Sequence, residues 1–120
     1  MKHNEIRIDN WVRWNGPSHK EDARIISMSK EEVMFACGDT ATYNELRPIK
    51  LTKKLLKHIG FDCFGKDWEG VDRYELHLMK IEIRGKEFYE FQTGTYLKSL
   101  HQLQNVYYSL HENDLKINLK

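Results

Sequence analysis

The sequence predicts an α+β fold: a small, curved, N-terminal antiparallel sheet, a short helix, a β-hairpin and a C-terminal amphipathic helix. Three observations predict it. The first half carries short runs of alternating apolar and polar residues, broken by turn formers at roughly ten-residue spacing. The period lengthens to that of a helix at "LTKKLLKHIGF" and again at "SLHQLQNVYYSLHEND". Between these, "VDRYELHLMKIEIRGKEFYEFQ" alternates on both sides of an Arg-Gly-Lys-Glu turn.

In "EIRIDNWVRW", Ile6, Ile8, Val12 and Trp14 share one parity, while Arg7, Asp9, Trp11 and Arg13 share the other, so a strand with one inward face is expected. "NGPSHKED" is a turn or loop. "ARIISM" and "VMFAC" are further strands, separated by "SKEE", with "GDT" ending the second. "ATYNELRPI" extends again, because Pro48 biases Arg47 toward extended geometry. Strands this short and this closely spaced suggest a strongly bent sheet, and an SH3-like barrel is of this size.

The first helical stretch has both ends written into it. Thr52 caps the N-terminus, Gly60 supplies a left-handed residue after the last turn, and Phe61 packs back on that turn. Leu55, Leu56 and Ile59 form its apolar side, and Lys57 and His58 suit its negative end. "DCFGKDWEG" reads as a loop. In the strand region Tyr74, Leu76 and Leu78 hold one phase and Met79, Ile81 and Ile83 the other, so a bulge or tight bend falls near Leu78. Gly85 takes the first central position of a type II′ turn, and "FYEFQ" is the return strand.

For the last helix, Ser99 is the N-cap and Gln102 completes a capping box. Leu100, Leu103, Val106, Tyr107 and Leu110 form one stripe, about 120° wide, as a helix lying on a core requires. Asn113 ends it, and "LKINL" forms a last short strand. One compact domain over residues 1–120 is expected, with a β-rich lobe at about 1–50 and an α+β lobe at about 51–120 sharing one core, since each part alone is small.

Charged residues are 31% of the chain, but the net charge is only +1, which disfavours a dedicated nucleic-acid binder and leaves a local basic patch open. Neither a metal nor another cofactor is expected. Cys37 and Cys63 are solitary, and the six histidines at 3, 19, 58, 77, 101 and 111 are scattered. "FGKDWEG" lacks the lysine and hydroxyl of a phosphate loop, and there is no G-x-S-x-G elbow. Asp62, Asp67, Glu69 and Asp72 are too sparse for a calcium loop and read as solvated acids. No catalytic residue is assigned. Cys63 with His58 or His77 is the one nucleophile–base pairing available, but a cysteine beside Phe61 and Phe64 reads first as a small core residue. Met1 to Asn10 has no apolar signal region, and no apolar run approaches the ~20 residues that span a bilayer. A cytoplasmic protein with reduced thiols and no membrane partner is expected.

Two surfaces are candidates for binding. Trp11 flanked by Arg7 and Arg13 on an outer strand face suits base stacking or a proline-rich peptide, whereas the favoured reading buries that tryptophan under the C-terminal lobe. His101, Asn105, Tyr108 and Glu112 line the helix side opposite the apolar stripe. A solvated face is the plain reading of these four, and a partner surface or homo-oligomer contact the sharper one.

Three blocks carry a resemblance. "RIDNWV", "LRPIKLTKKLLKHIGF" and "HQLQNVYYSLHENDL", in that order and spacing, resemble a family of small proteins of Bacteroidetes genomes and prophages with no assigned activity. The blocks cover most of the chain; Asn15–Asp22 and Asp62–Val71 do not match. The resemblance implies a bacterial or phage cytoplasmic origin and one shared fold, and brings no catalytic residues. The expectation is therefore a non-enzymatic binding or accessory module of a bacterial mobile element or prophage, with protein or nucleic acid as partner. The alternatives are a homo-oligomeric phage structural or accessory protein and a small Cys63-dependent hydrolase.

Overall fold

The computed structural model describes residues 1–15, 20–66 and 72–119. Among them are two five-stranded antiparallel sheets and two α-helices, an α+β fold as the periodicities require. The chain divides into two compact units, one of residues 1–49 with 99–115, the other of residues 50–98 with 116–118. The C-terminal helix thus belongs with the first sheet, and not with the second as the lobe boundary near residue 50 had it.

The first unit contains β1 (Trp11–Asn15), β2 (Lys20–Met28), β3 (Glu32–Phe35), β4 (Thr40–Thr42) and β5 (Leu46–Arg47). Their order is β4-β3-β2-β1-β5, with β5 returning beside β1 after a 3₁₀ turn at Tyr43–Glu45. β4 and β5 remain edges, so the SH3-like barrel does not close. Alternation places Val12, Trp14, Ala23, Ile25, Val33, Phe35 and Leu46 in one core. Trp14 and Phe35 meet there with ring centroids 5.2 Å apart. A register shift between Ile25 and Ser27 keeps Ile25 inside and leaves Ile26 exposed.

The expected strand from Glu5 to Trp14 begins only at Trp11. A 3₁₀ turn occupies His3–Glu5, and Asp9 takes φ 76°, a left-handed conformation that a short polar side chain tolerates. This turn breaks the parity: Ile6 is buried, but Ile8 is exposed. Pairing with β2 nonetheless continues past the strand end. Asp9 N–H donates to the Ile25 carbonyl at 2.7 Å, and Ile25 N–H to that of Asn10 at 3.0 Å. Arg24 holds the Asp9 carboxylate at 2.9 Å.

Helix α2 (Leu100–His111) packs on β1. Leu100, Leu103 and Tyr107 of the expected stripe are buried, and so is Gln104. The Gln104 carboxamide accepts from Trp11 N–H at 2.8 Å and donates to the Asp9 carbonyl at 2.9 Å. β5 reaches β1 only at Arg13 and Trp14. A side-chain amide therefore stands where a neighbouring strand would otherwise satisfy the backbone. The capping box is not formed: the Ser99 hydroxyl lies 3.0 Å from His101 Nδ1 and makes no cap bond. Glu112, at φ 57°, ends the helix one residue before Asn113, and "LKINL" is not a strand.

In the second unit, α1 (Lys53–Ile59) has the expected ends. Thr52 accepts from Leu55 N–H at 3.0 Å, Gly60 sits at φ 118°, and Phe61 N–H returns to the Leu56 carbonyl at 3.0 Å. The strands β6 (Asp62–Lys66), β7 (Asp72–Leu76), β8 (Met79–Arg84), β9 (Glu87–Glu90) and β10 (Thr95–Leu97) form a sequential meander. The stretch read as a loop from Asp62 thus opens with a strand; its acids Asp67 and Glu69 lie outside the described residues, and Asp72 pairs with Lys53 at 2.6 Å. β10 had no counterpart in the sequence reading, its three residues being too few to show a period.

The parity slip at Leu78 is a two-residue hairpin turn, His77–Leu78, with Leu76 opposite Met79. Both turn residues have positive φ, 48° and 72°, a geometry usually given to Asn-Gly. At the next hairpin Gly85 alone is left-handed, at φ 64°, as type II′ requires. Tyr74, Met79, Ile81, Ile83, Phe88 and Leu97 are buried on one face of this sheet. Glu90 is buried with them, its carboxylate accepting from the backbone N–H of Gln92 and of Thr93, both at 2.7 Å.

Two stability outcomes follow from this geometry. Gln104→Leu keeps the volume but strips partners from a buried N–H and a carbonyl, at about 1–3 kcal/mol each; a urea transition should fall by about 2–4 kcal/mol. Leu78→Gly removes a left-handed L-residue, worth about 1–2 kcal/mol, against a glycine entropy cost of roughly 0.5–1 kcal/mol. It should raise the unfolding free energy, read from urea denaturation, by a net of about 0.5–1 kcal/mol.

Candidate functional site

The residues singled out in the first unit come together, but as an internal clasp. The Arg7 guanidinium lies 4.2 Å from the Tyr108 ring centroid, pairs with Asp114 at 2.8 Å and donates to Asn105 Oδ1 at 3.3 Å. Asn10, fully buried, donates to the same Asn105 oxygen at 2.9 Å and accepts from Arg7 N–H at 2.8 Å. The helix side expected to meet solvent or a partner is therefore largely engaged with the chain's own N-terminal segment. Glu112 remains exposed at the helix end. Trp11 is 8% exposed, so it offers no outward ring to a base or a peptide. The ring of Trp11 is buried, as the favoured reading had it, although the rest of that strand face is not covered. Arg13 is exposed and pairs across the hairpin with Asp22 at 3.1 Å.

His101 is buried rather than solvated. Burial pushes its pKa below the ordinary 6.5, against a smaller upward pull from Glu5. The neutral imidazole is thus the form that fits the folded unit. A depressed pKa means the unfolded chain binds the extra proton first, so the stability this histidine supports is complete above about pH 6.5 and is lost as pH falls from there through the lower folded value. His101→Gln should accordingly lose less stability than the parent between about pH 7 and pH 5, read as the shift in urea midpoint.

Cys63 is exposed, not a core residue; it sits in β6 opposite Tyr74. Burial, together with the neighbouring Cys63, pushes the Tyr74 hydroxyl up to about 12, so it stays protonated and is no base near neutrality. His58 Nε2 is 2.6 Å from the Asn118 carbonyl, and His77 forms part of the hairpin turn. Among the described residues no group of three His, Cys, Asp or Glu is placed to hold a metal ion, and no helix is long and apolar enough to cross a membrane.

The more open surface is the outer face of the second sheet. Register places Arg73, Glu82, Tyr89 and Tyr96 in one row across β7 to β10. Glu75 and Lys80 stand in the next row, where Phe91 N–H joins the Lys80 carbonyl at 3.2 Å. Tyr89 contacts Phe91 edge-on, with centroids 5.4 Å apart, and Tyr96 at 5.0 Å. Arg84 lies 4.1 Å over Tyr89, donates to Glu82 at 2.7 Å and reaches the Tyr96 hydroxyl at 3.4 Å. Arg73 meets the other Glu82 oxygen at 3.4 Å. Glu82 is buried between the two guanidiniums. Phe91 and Tyr96 stay about two-fifths exposed, at 41% and 43%.

Beside this aromatic cluster runs an open groove of about 750 Å³, with Arg73, Glu75, Leu78, Lys80, Phe91 and Gln92 in its wall. That volume lies in the range of ligand clefts, roughly 300–1,000 Å³. The sequence did hold a signal for this surface. In "FYEF" the aromatics Phe88 and Phe91 fall on opposite parities, with Tyr89 on the side of Phe91. A strand aromatic on both faces has a second face to account for.

No family model matches this chain, and no curated protein and no solved structure matches it.

Proposed function

We propose that this chain is a non-enzymatic binding module that holds a partner on the outer face of its second sheet. The observation that carries the reading is the set of three clustered aromatic rings, Tyr89, Phe91 and Tyr96, two of them substantially exposed beside the groove. Exposed aromatics next to an arginine are the residue types that most often dominate binding energy. Their positions are already fixed by ring contacts and by Arg84, so a partner loses little side-chain freedom on docking. The resemblance of the three sequence blocks to proteins of Bacteroidetes genomes and prophages supports placing the module in a bacterial mobile element or prophage. Arg7, Trp11 and Arg13 are replaced as the ligand-facing set by Phe91, Tyr96 and their neighbours, because Trp11 is buried and Arg7 is engaged with α2.

The test uses a display library of random twelve-residue peptides panned on the parent protein and on a Phe91→Ser, Tyr96→Ser double variant. Both side chains are partly exposed, so the fold is retained. Clones held by the parent and lost, by about tenfold or more, on the double variant support the reading. Clones held equally by both proteins, or none at all, would sink it.

A further inference from the structure

We infer, resting on that reading of the outer face, that the partner segment is an extended, uncharged peptide containing proline, laid in the groove lined by Leu78 and Phe91. The charges of this face nearly cancel: Arg73, Lys80 and Arg84 stand among Asp62, Glu75, Glu82 and Glu87. Both guanidiniums are already engaged on Glu82, and Lys80 stands directly across the strands from Glu75. A polyanion gains little from such a surface, and a polycation no more. Charge complementarity here selects a segment without net charge.

Leu78 sharpens the choice. It is 72% exposed, the largest exposure among the large apolar side chains of the described residues, and it is held at φ 72° at the hairpin tip. Asn-Gly would make the same turn without strain and without placing an apolar group in water. Strain that persists at a groove wall is the kind associated with ligand contacts. Leu78 and Phe91 both line the groove and give its wall two large apolar side chains.

Proline fits this groove for three reasons. Its ring packs on flat aromatic faces such as Phe91, Tyr89 and Tyr96. A proline-rich segment is already extended before it binds, so little chain entropy is lost. It also adds no charge, which suits a face whose own charges nearly cancel. The segment's carbonyls, by contrast, meet donors in the Lys80 ammonium and the Gln92 amide of the groove wall.

The experiment sequences the clones that depend on Phe91 and Tyr96, then titrates one such synthetic peptide and its alanine-for-proline counterpart into ¹⁵N-labelled protein. Proline enrichment is expected, with shifts at Leu78, Lys80 and Phe91. Affinity should fall about tenfold on alanine replacement and several-fold, by roughly a factor of five, in Leu78→Gly, although that variant folds more stably. Face-dependent clones without proline, or an alanine peptide that binds as well, overturn the proposed peptide while leaving the face as a ligand site. A twenty-residue oligothymidylate that shifts the same amides, with binding lost in Phe91→Ala, replaces the peptide by nucleic acid and overturns it too. Shifts of those amides on concentrating the protein alone assign the face to a second copy. Absence of any face-dependent clone removes the binding reading itself.

Discussion

The first unit depends on one side-chain amide behaving as backbone. β1 needs hydrogen-bond partners along both edges, and β5 is only two residues long. Gln104 fills the gap, taking the Trp11 N–H and returning an N–H to the Asp9 carbonyl. A carboxamide has the donor and acceptor of a peptide group in the same spacing, so the ladder continues across it with no strand present. Because Gln104 sits on α2, the same two bonds fix the helix's height and rotation against β1. Asn105 and Tyr108 then fall beside Arg7 and Asn10 without further choice. The turn at Asp9 is part of the same constraint, since its left-handed φ aims that carbonyl at the helix while its N–H stays with Ile25.

This constraint also marks where sequence reasoning reaches and where it stops. The α+β class, the ends of α1, the apolar stripe of α2 and the II′ turn at Gly85 were legible, because each rests on contacts within a few residues. Thr52, Gly60 and Gly85 act on their own neighbours. The role of Asn105 was not legible: its partners Arg7 and Asn10 lie 98 and 95 residues away, and no local period encodes them. A polar helix side looks the same in sequence whether it faces water or a polar edge of backbone. His101 was misjudged for that reason, and Gln104 was assigned to neither side. The strand expected from Glu5 failed on Asp9, a residue whose turn-forming ability competes with the alternation around it.

The candidate site was half legible for a different physical reason. Its aromatics alternate with core residues along β9, and a strand read for its inward face hides what stands on the other. The groove residues come from two strands and two turns, so only the meander's register brings them together. Leu78 was noticed as a break in phase. That the break is a tight turn with an apolar residue at its tip follows only once Leu76 is seen opposite Met79.

Glu82 explains why this outer face holds its form. A carboxylate placed amid aromatic rings would be costly if alone, since burial penalises its charge. Here two guanidiniums share it, and Arg84 in turn is held up in pKa by Glu82 and Tyr96. The planar Arg84 head therefore cannot leave Tyr89 without also abandoning its carboxylate, and the Tyr89 ring cannot swing without losing Arg84, Phe91 and Tyr96 together. Coupled in this way, the rings gain order from an ion pair that itself gives little stability at a surface. The consequence is a rigid aromatic relief with its charges consumed internally. On the binding reading proposed above, such a surface would select by shape and by apolar contact, which a neutral, pre-extended segment satisfies better than a flexible charged one.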